Sequence, residues 1–342
     1  MATGPTPERG APRSGIVLAG TVVLDIVHMI EHWPDEEQIA FIRETIEAPG
    51  GPPHNAAAGL VKLGAPFPVT LQCLLGDDAA GDTFTRIARG YGLDTAHIIR
   101  VPGKTTDTTH VMTSRATGKR TFFFRPGANA TMTAEQLLPA NGSGKIYYLG
   151  SPGLSSSMDA SDGWRHALRA ARARGYKTAM ELCPVPPRLQ REQVRPCLPL
   201  LDYFIVNDSE AEAVSGIPVT VDGRFDRSSA ERACAMLLSL GVNDLACIHH
   251  PHGAVAVRAN GETLFAASVN VPKSDIVGTV GAGDAFYAGM LFGLHEEWAL
   301  SECLALANAS AATSLHSATT SASIRPWRDC LAYAAEKGLR AP

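Results

Sequence analysis

The sequence predicts an α/β protein in which a mostly parallel sheet is flanked by helices and a small β-sheet forms a lid. From Lys145 onward, apolar strand patterns alternate with amphipathic helix patterns, a rhythm that places parallel strands between helices. Two other stretches, at about 35–48 and 105–126, are typical of exposed strands and a hairpin, as expected for a lid. At 342 residues, the chain can form one large α/β domain with an accessory piece.

The composition favours a globular protein and excludes several classes of function. Hydrophobic residues make up 45% of the chain and charged residues 19%, which fits a packed core. The net charge is −4, and lysine and arginine are dispersed without a basic block, so we expect no nucleic-acid partner. The 7 cysteines are odd in number and form no C-x-x-C pair, which predicts neither a disulfide framework nor a zinc site.

The amino-terminal segment and the apolar runs bear on where the protein works. Residues 1–14 are rich in proline, glycine and charge and lack the apolar core of a signal peptide, so they predict a disordered tail. The folded domain is expected over residues 15–342. The apolar runs are too short to span a membrane, and we therefore expect a cytoplasmic protein with no membrane partner.

The first element is an apolar, β-branched run from Ile16 to Val27, which predicts one buried parallel strand with Asp25 near its carboxyl end. Ligands of open α/β sheets bind at that edge. A carboxylate in an apolar stretch needs a partner, which makes Asp25 a candidate for binding a substrate hydroxyl group. A buried aspartate held by backbone amides is the structural alternative.

A glycine turn follows the first lid stretch and enters a helix of small residues that ends near Gly64. The turn includes Gly51, where a ligand can approach the backbone closely. Asn55 lies at the mouth of the predicted helix and can both donate and accept hydrogen bonds. Substrate binding and simple helix capping are both compatible with that position.

The middle and the carboxyl-terminal half continue the strand and helix pattern. A strand at Val69–Leu74 precedes a helix at about Ala79–Tyr91, and the lid hairpin turns at Ala116–Arg120. Later strands are predicted at Ile146–Leu149, Thr178–Leu182, Tyr203–Val206, Leu245–Ile248 and near 254–258 and 264–269; helices are predicted at Asp162–Arg174, Ser209–Val214, Ser228–Leu240, Leu300–Leu315 and from about Trp327.

The stretch from Gly278 to Gly289 combines a glycine turn with an apolar helix, and its turn ends in an acid. Residues as small as Gly281, Ala282 and Gly283 let a ligand approach the backbone, and free amides at a helix N-terminus bind phosphate-like anions. A carboxylate at Asp284 would repel phosphate, so we expect it to have a function other than phosphate binding. Taking a proton from an attacking hydroxyl group would be such a function. A glycine-rich cap with a capping aspartate is the alternative.

These motifs, in this order, resemble the ribokinase-like (PfkB) carbohydrate kinase family over almost the whole chain. The amino-terminal signature of that family is similar to Gly50–Ala57 with Gly64 after it, and the carboxyl-terminal signature is similar to Thr279–Leu291. Shorter matches between the signatures are Gly76-Asp77-Asp78, Gly127-Ala128-Asn129 and the N-x-x-E element Asn207–Glu210. The resemblance implies a doubly wound, mostly parallel α/β fold with a small β-sheet lid.

The resemblance also implies a site and a chemistry. The reaction would be ATP-dependent phosphorylation of a primary hydroxyl group on a sugar or sugar acid, with ATP and Mg²⁺ as cofactors and the need for K⁺ left open. Lid closure would exclude water, and the lid would also join two copies in a homodimer. The implied roles are general base for Asp284; anion hole for Gly281, Ala282 and Gly283; substrate binding for Asp25, Gly51, Asn55 and Asn129; nucleotide or phosphate binding for Asn207, Thr279, Gly253 and Asn308; and Mg²⁺ binding, mostly through water, for Glu210 and Asn207.

The sequence departs from the family pattern at three places. Gly278 stands where the family usually has an aspartate that helps to hold a monovalent cation, although Asp275 lies close by in sequence. The stretch His249–Gly253 replaces a Thr-x-Gly turn, and its three histidines either bind a metal or reshape the nucleotide edge. Cys183 replaces a common asparagine, and nearby Glu181 either compensates for it or contacts the substrate.

Two other functions remain open from the sequence. A nucleoside kinase shares the same scaffold, and the lid phenylalanines Phe41 and Phe122–Phe124 could stack on a base, although a lid sheet or a dimer interface explains them equally. A sugar sensor without catalysis would explain the departures at Gly278 and Cys183 but not the intact Asp284.

Overall fold

The computed structural model describes residues 13–138, 143–221, 224–317 and 319–340. The tail expected over residues 1–14 therefore lies outside the described residues, apart from Arg13 and Ser14. The Arg13 side chain donates a hydrogen bond to the carbonyl of Gly144. Among the described residues, no helix has the length and apolar character needed to cross a membrane.

The main sheet has nine strands within the described part of the chain, in the order β15-β14-β13-β10-β9-β8-β1-β4-β5. The strands from β5 to β13 pair in parallel, and β14 and β15 add an antiparallel edge. The mostly parallel sheet predicted from the sequence is confirmed. Its strands are β1 (Ile16–Gly20), β4 (Val69–Gly76), β5 (Ile98–Val101), β8 (Ile146–Gly150), β9 (Lys177–Glu181), β10 (Tyr203–Asn207), β13 (Leu245–His250), β14 (Gly253–Arg258) and β15 (Thr263–Ala267).

Helices cover both faces of this sheet, because successive side chains of a strand point to opposite faces. In β1, Ile16 and Leu18 belong to one buried core, and Val17 and Ala19 belong to the other. The helices are α1 (Pro52–Leu63), α2 (Ala79–Gly90), α3 (Ala134–Leu137), α4 (Ser156–Ala160), α5 (Gly163–Ala173), α6 (Pro187–Val194), α7 (Asp208–Ser215), α8 (Arg227–Ser239), α9 (Ala282–His295), α10 (Leu300–Ser314) and α11 (Trp327–Lys337).

Helix α9, which follows the glycine turn, is buried on all sides from Ala285 to His295. Small residues allow this depth of packing. A side chain at Gly289 would meet the Cα of Ala307 on α10 at 2.7 Å, and one at Gly293 would meet the sulfur of Cys303 at 2.6 Å. The close contact with α10 fixes α9 firmly, and its N-terminus therefore has a fixed position relative to the main sheet.

A second, four-stranded sheet lies apart from the main sheet, in the order β3-β2-β6-β7, and we call it the lid. Its strand β2 pairs antiparallel with β3 and parallel with β6, and β6 pairs antiparallel with β7. The lid strands are β2 (Val23–Ile30), β3 (Ile42–Gly50), β6 (Thr108–Ser114) and β7 (Arg120–Arg125). A short hairpin of β11 (Thr220–Val221) and β12 (Arg224–Phe225) forms a third sheet.

The single strand predicted from Ile16 to Val27 is wrong, because the chain leaves the main sheet after β1 and enters the lid as β2. The change occurs at Gly20, which has a φ of +131°, a backbone conformation that glycine adopts readily and other residues rarely do. A side chain at this position would also lie 2.3 Å from the carbonyl oxygen of Gly150. Asp25 is consequently a lid residue, in the third position of β2, and does not lie at the carboxyl end of a main-sheet strand.

Candidate active site

A cavity of about 470 Å³ lies between the lid and the carboxyl ends of the parallel strands. This is the edge where open α/β sheets bind ligands. The lid contributes side chains from β2, β6 and β7, and the main domain contributes the ends of β9 and β10 and the turn before α9. The predicted site residues that line the cavity are Asp25, Gly51, Asn55, Asn207, Glu210, Gly281, Gly283 and Asp284.

Gly281 forms the turn that opens α9. Its φ of +74° lies in the left-handed region, and a side chain would meet the carbonyl oxygen of Thr320 at 2.4 Å. The first amides of the helix have no carbonyl partner within it, and they carry the positive end of the helix dipole. Gly283 lines the cavity, whereas the Ala282 side chain does not, so Ala282 can contribute only its backbone.

Asp284 lies in the first turn of α9 and is held by side chains from other parts of the chain. The Asn55 amide donates a 2.9 Å hydrogen bond to Asp284 Oδ2, and Thr320 Oγ1 donates a 3.1 Å bond to Asn55 Oδ1. Glu181 lines the same cavity. Burial raises the pKa of Asp284, while its interactions with Glu181 and Asn55 and the charge of Arg120 oppose that rise.

The lid brings a carboxylate, Asp25, and a cation, Arg120, to the same cavity. Asp25 lies beside Thr109, its register partner on β6, and both line the cavity. Burial raises the pKa of Asp25 to about 7; the charge of Asp284 adds to this rise, and Thr109 and Arg120 oppose it. Arg120 lines the cavity and interacts with both carboxylates, so it partly neutralises them. From the sequence, Arg120 was expected in a hairpin turn and was not a candidate site residue, but it begins β7 and lines the cavity.

Asn207 and Glu210 form a capping box at the start of α7. Asn207 Oδ1 accepts a 2.9 Å bond from the Glu210 amide, and Glu210 Oε2 accepts a 3.1 Å bond from the Asn207 amide. Both residues line the cavity, and burial raises the pKa of Glu210 to about 7. This pair also explains the N-x-x-E element as a helix start.

The oxygen donors at this edge fit a hard divalent cation. Glu210 uses one carboxylate oxygen in the capping box, and the carboxylates of Glu181 and Asp284 line the same cavity. Magnesium prefers such oxygen ligands and keeps several waters. In the described residues, no three His, Cys, Asp or Glu side chains come together as a metal site, so protein ligands alone would not enclose the ion.

Besides Ala282, four predicted residues lie away from the cavity lining. Asn129 is fully buried, where its amide donates to the carbonyl of Val22 and to Asp107 Oδ2 at 2.8 Å each. It therefore holds together the segments that flank the lid strands. It does not line the cavity, contrary to the expectation that it binds substrate. The others are Gly253, which begins β14; Asn308, whose amide faces the carbonyls of Ala266 and Ala267; and Thr279, which is exposed before α9.

The three histidines at the end of β13 and just after it do not converge. His249 lines the cavity and packs against the Phe286 ring at 4.9 Å, and burial lowers its pKa to about 4. His250 instead stacks on Phe225 and on His252, at 4.9 and 5.3 Å. Because neighbouring strand residues point to opposite faces, the metal hypothesis for this turn has no geometric support. The interpretation as a reshaped nucleotide edge stays a prediction.

The other departures also have a structural setting. Cys183 is buried, its thiol contacts the carbonyl of Pro152 at 3.6 Å, and burial raises its pKa, so it is unsuited to act as a nucleophile. Asp275, the acid near Gly278, lies 3.8 Å from the Lys337 ammonium group. That ion pair would compete with any cation for the carboxylate.

Comparison with known proteins agrees with this fold. Residues 16–328 match the family described as pfkB family carbohydrate kinase. The chain is 28% identical to the aminoimidazole riboside kinase of Salmonella typhimurium, over 78% of this chain and 82% of that protein. It is also 28% identical to fructokinase-1 of Zea mays, over 88% of this chain and 92% of that protein.

Two solved structures show the same fold. Arabidopsis thaliana ribokinase, complexed with ribose and ATP, matches 95% of this chain and 99% of its own, with a TM-score of 0.74 and 20% identity. A structure described as ribokinase II from E. coli, in complex with ATP and Mg²⁺, matches 94% of this chain and 99% of its own, with a TM-score of 0.75 and 19% identity. The family match covers most of the sequence, and the fold and the cavity agree with it. This chain belongs to the pfkB family of carbohydrate kinases and is a kinase that acts on a sugar or a nucleoside.

Proposed function

We propose that this protein transfers the γ-phosphoryl group of ATP to a primary hydroxyl group of a sugar or sugar acid, with Asp284 as the general base. The observation that carries this proposal is the position of Asp284. It lies in the first turn of α9, is held by Asn55, and lines the same cavity as Asp25 of the lid. A base beside an anion-binding helix N-terminus is what phosphoryl transfer to an alcohol requires.

The substrate would bind between the lid and the main domain. Asp25 accepts hydrogen bonds from sugar hydroxyl groups, and Asn55 and the Gly51 backbone contact the sugar from the main domain. Support comes from their shared cavity and from Thr109 and Arg120, which hold the Asp25 carboxylate from the lid side. A substrate held at both sides has its reacting hydroxyl group directed toward Asp284, which reduces the entropic part of the barrier.

The reaction then needs one proton transfer and one displacement at phosphorus. Asp284 takes the proton of the hydroxyl group as the oxygen forms its bond to the γ-phosphorus, and the bond from that phosphorus to the β–γ bridging oxygen breaks to release ADP. Backbone amides at Gly281, Ala282 and Gly283 face the developing negative charge. A bound Mg²⁺ near Glu210 and Asn207 would neutralise charge on the nucleotide phosphates.

The test replaces Asp284 with asparagine, which keeps the shape and can still accept the bond from Asn55. We expect turnover to fall by about 10²–10⁴-fold, the usual contribution of a general base, with little change in sugar binding. ADP release should be followed with a coupled assay over a panel of sugars, sugar acids and nucleosides, and sugar affinity by calorimetry. Turnover that survives in Asp284→Asn would exclude Asp284 as the base.

A nucleoside is the second candidate substrate, and the lining of the cavity is the observation that favours it. Phe122 and Phe124 of the lid line the cavity opposite Leu154 and Val185, so an aromatic base would find apolar surface. In the same panel, a nucleoside with a higher kcat/KM than any sugar would support this alternative. The expected control is that Phe122→Ala weakens nucleoside binding more than sugar binding.

We also propose that the lid joins two copies of the chain. Apolar residues on the lid and just before its strand β3 are exposed: Phe123 is 50% exposed and stacks on Trp33 at 6.1 Å, and Ile39 and Phe41 are 82% and 61% exposed. Exposed apolar side chains on and beside one small sheet are typical of a protein interface, and a second copy presents the same surface.

A further inference from the structure

Two histidines of the lid form a pair on the face that points away from the cavity. From β2 and β6, Asp25 and Thr109 line the cavity. His28 comes three positions after Asp25, and His110 follows Thr109 directly. Because successive side chains of a strand point to opposite faces, both imidazoles lie on the outer face of the lid. His110 is exposed and His28 is half-buried, so solvent reaches the pair, and the reaction proposed above uses neither residue.

The two imidazole rings meet edge to edge. His28 Nε2 lies 3.1 Å from His110 Nδ1, a hydrogen-bond distance, and the ring centroids are 5.4 Å apart with only 6° between the ring planes. A neutral imidazole has one N–H and one bare nitrogen, so a single proton lies between the two rings. On the other side of its ring, His28 Nδ1 lies 3.1 Å from Thr45 Oγ1 on β3.

The separation of these two nitrogens also fits two ligands of one metal ion. An ion at about 2.0–2.1 Å from both nitrogens would make an angle of about 95–100° with them, between the octahedral and tetrahedral values. Each ring would turn by about 40° to direct its lone pair at the ion. The exposed His110 ring has room for that rotation, and the ion would displace the proton that the pair shares.

Thr45 orients His28 as a metal ligand would be oriented. A histidine that binds a metal usually donates its second N–H to an oxygen, which fixes its tautomer. The Nδ1–H of His28 can donate to Thr45 Oγ1 and leave the lone pair on Nε2, the nitrogen that faces His110. Burial and the neighbouring His110 also lower the pKa of His28, and the neutral imidazole is the form that binds a metal.

We propose that His28 and His110 form a chelating site for a transition-metal ion such as Zn²⁺ on the outer face of the lid. Imidazole nitrogens suit Zn²⁺, Cu²⁺ and Ni²⁺, whereas Mg²⁺ prefers oxygen ligands, so this site is separate from the magnesium position at the cavity. No third His, Cys, Asp or Glu side chain of the described residues completes the set, and water fills the remaining positions. The bound ion joins β2 to β6, which are already paired in parallel.

Zn²⁺ binding to the full chain, purified without a histidine tag, tests this site. Excess Mg²⁺ in the buffer competes for the oxygen ligands of the cavity, and no nucleotide is added. Calorimetry should show one saturable Zn²⁺ site per chain, which His28→Gln and His110→Gln should each remove. Thr45→Val keeps the shape of the side chain but loses the oxygen, and it should weaken Zn²⁺ binding by about tenfold or more.

The matched control is His252→Gln, which removes an exposed histidine after β13 and should leave Zn²⁺ binding unchanged. Thermal unfolding without metal shows that each variant is folded, and added Zn²⁺ should raise the Tm of the wild type but not of His110→Gln. In nitrogen NMR spectra of histidine-labelled protein, Zn²⁺ should shift the resonances of His28 Nε2 and His110 Nδ1. The proposal is overturned if the wild type shows no saturable Zn²⁺ binding, if binding survives in His110→Gln, or if His252→Gln removes it equally.

Discussion

Replacing Gly281 with alanine should damage both the fold and the proposed reaction, for reasons visible in the turn before α9. With φ at +74°, alanine adopts a backbone conformation that costs about 1–2 kcal/mol. The added carbon would lie 2.4 Å from the Thr320 carbonyl oxygen and 2.6 Å from its Cα. These are backbone atoms, so no side-chain rotation relieves the contact, and one of the two segments must move.

The movement would reach Asp284 through hydrogen bonds. Thr320 donates to Asn55, and Asn55 donates to Asp284, so a shift of Thr320 changes the position of the base. Overpacking of a well-packed site costs about 1–3 kcal/mol, which with the backbone cost gives a loss of about 2–5 kcal/mol in the free energy of unfolding. A displacement of the reacting groups by about 1 Å can reduce turnover by about 100-fold, and we expect a loss of that order.

Gly64 provides a matched control. Its φ is +77°, and a side chain there meets no atom within 4 Å, so Gly64→Ala carries the backbone cost without the collision. Urea unfolding should give Gly64→Ala a loss of about 1–2 kcal/mol with turnover unchanged, and Gly281→Ala the larger loss. Equal losses of stability in the two variants, with normal turnover in Gly281→Ala, would refute the collision and its link to the base.

Three further predictions follow from the same structure. Sugar affinity should weaken as the pH falls through about 7, because protonation of Asp25 removes a hydrogen-bond acceptor; Asp25→Asn should raise the sugar KM and abolish this pH dependence, and an unchanged KM would count against the role. Phe123→Glu should convert a dimer into a monomer in light scattering at constant concentration, whereas an unchanged mass would exclude the lid interface. Turnover should be equal in K⁺ and choline buffers, because Gly278 lacks a side chain and Asp275 is paired with Lys337, and a strong K⁺ activation would contradict this.

Most strands and helices were predictable because they have a clear period and clear turn residues, although β5 and α6 were not predicted. The first strand was not, because the run from Ile16 to Val27 is apolar and β-branched throughout and has no obvious break. Its division depends on a tertiary contact, since Gly20 passes so close to Gly150 that no side chain fits. Gly20 was therefore the one local signal for the division, and it is weak in a sequence with 32 glycines.

Prediction of the site worked best for residues in glycine turns and less well for single side chains. Asp284 and Asn55 stand in recognisable turns, and the structure brings them to 2.9 Å of each other. Arg120 and Glu181 had no such context: an arginine after a hairpin turn is usually solvated, and whether it points inward depends on strand register. Asn129 shows the opposite case, because its motif suggested a ligand but its amide bonds lie within the protein.

In the proposed reaction, the strand change at Gly20 would help the protein to distinguish its acceptor from water. Asp25 and Arg120 belong to the lid sheet, and Asp284 belongs to α9 of the main domain. The distance from the lid residues to Asp284 therefore depends on the angle between the lid and the main domain. A sugar is large enough to contact both sides and to fasten them together, whereas a water molecule reaches only one side at a time. The geometry therefore ties the assembly of the reactive site to the size of the acceptor, which would suppress wasteful hydrolysis of the nucleotide when no sugar is bound.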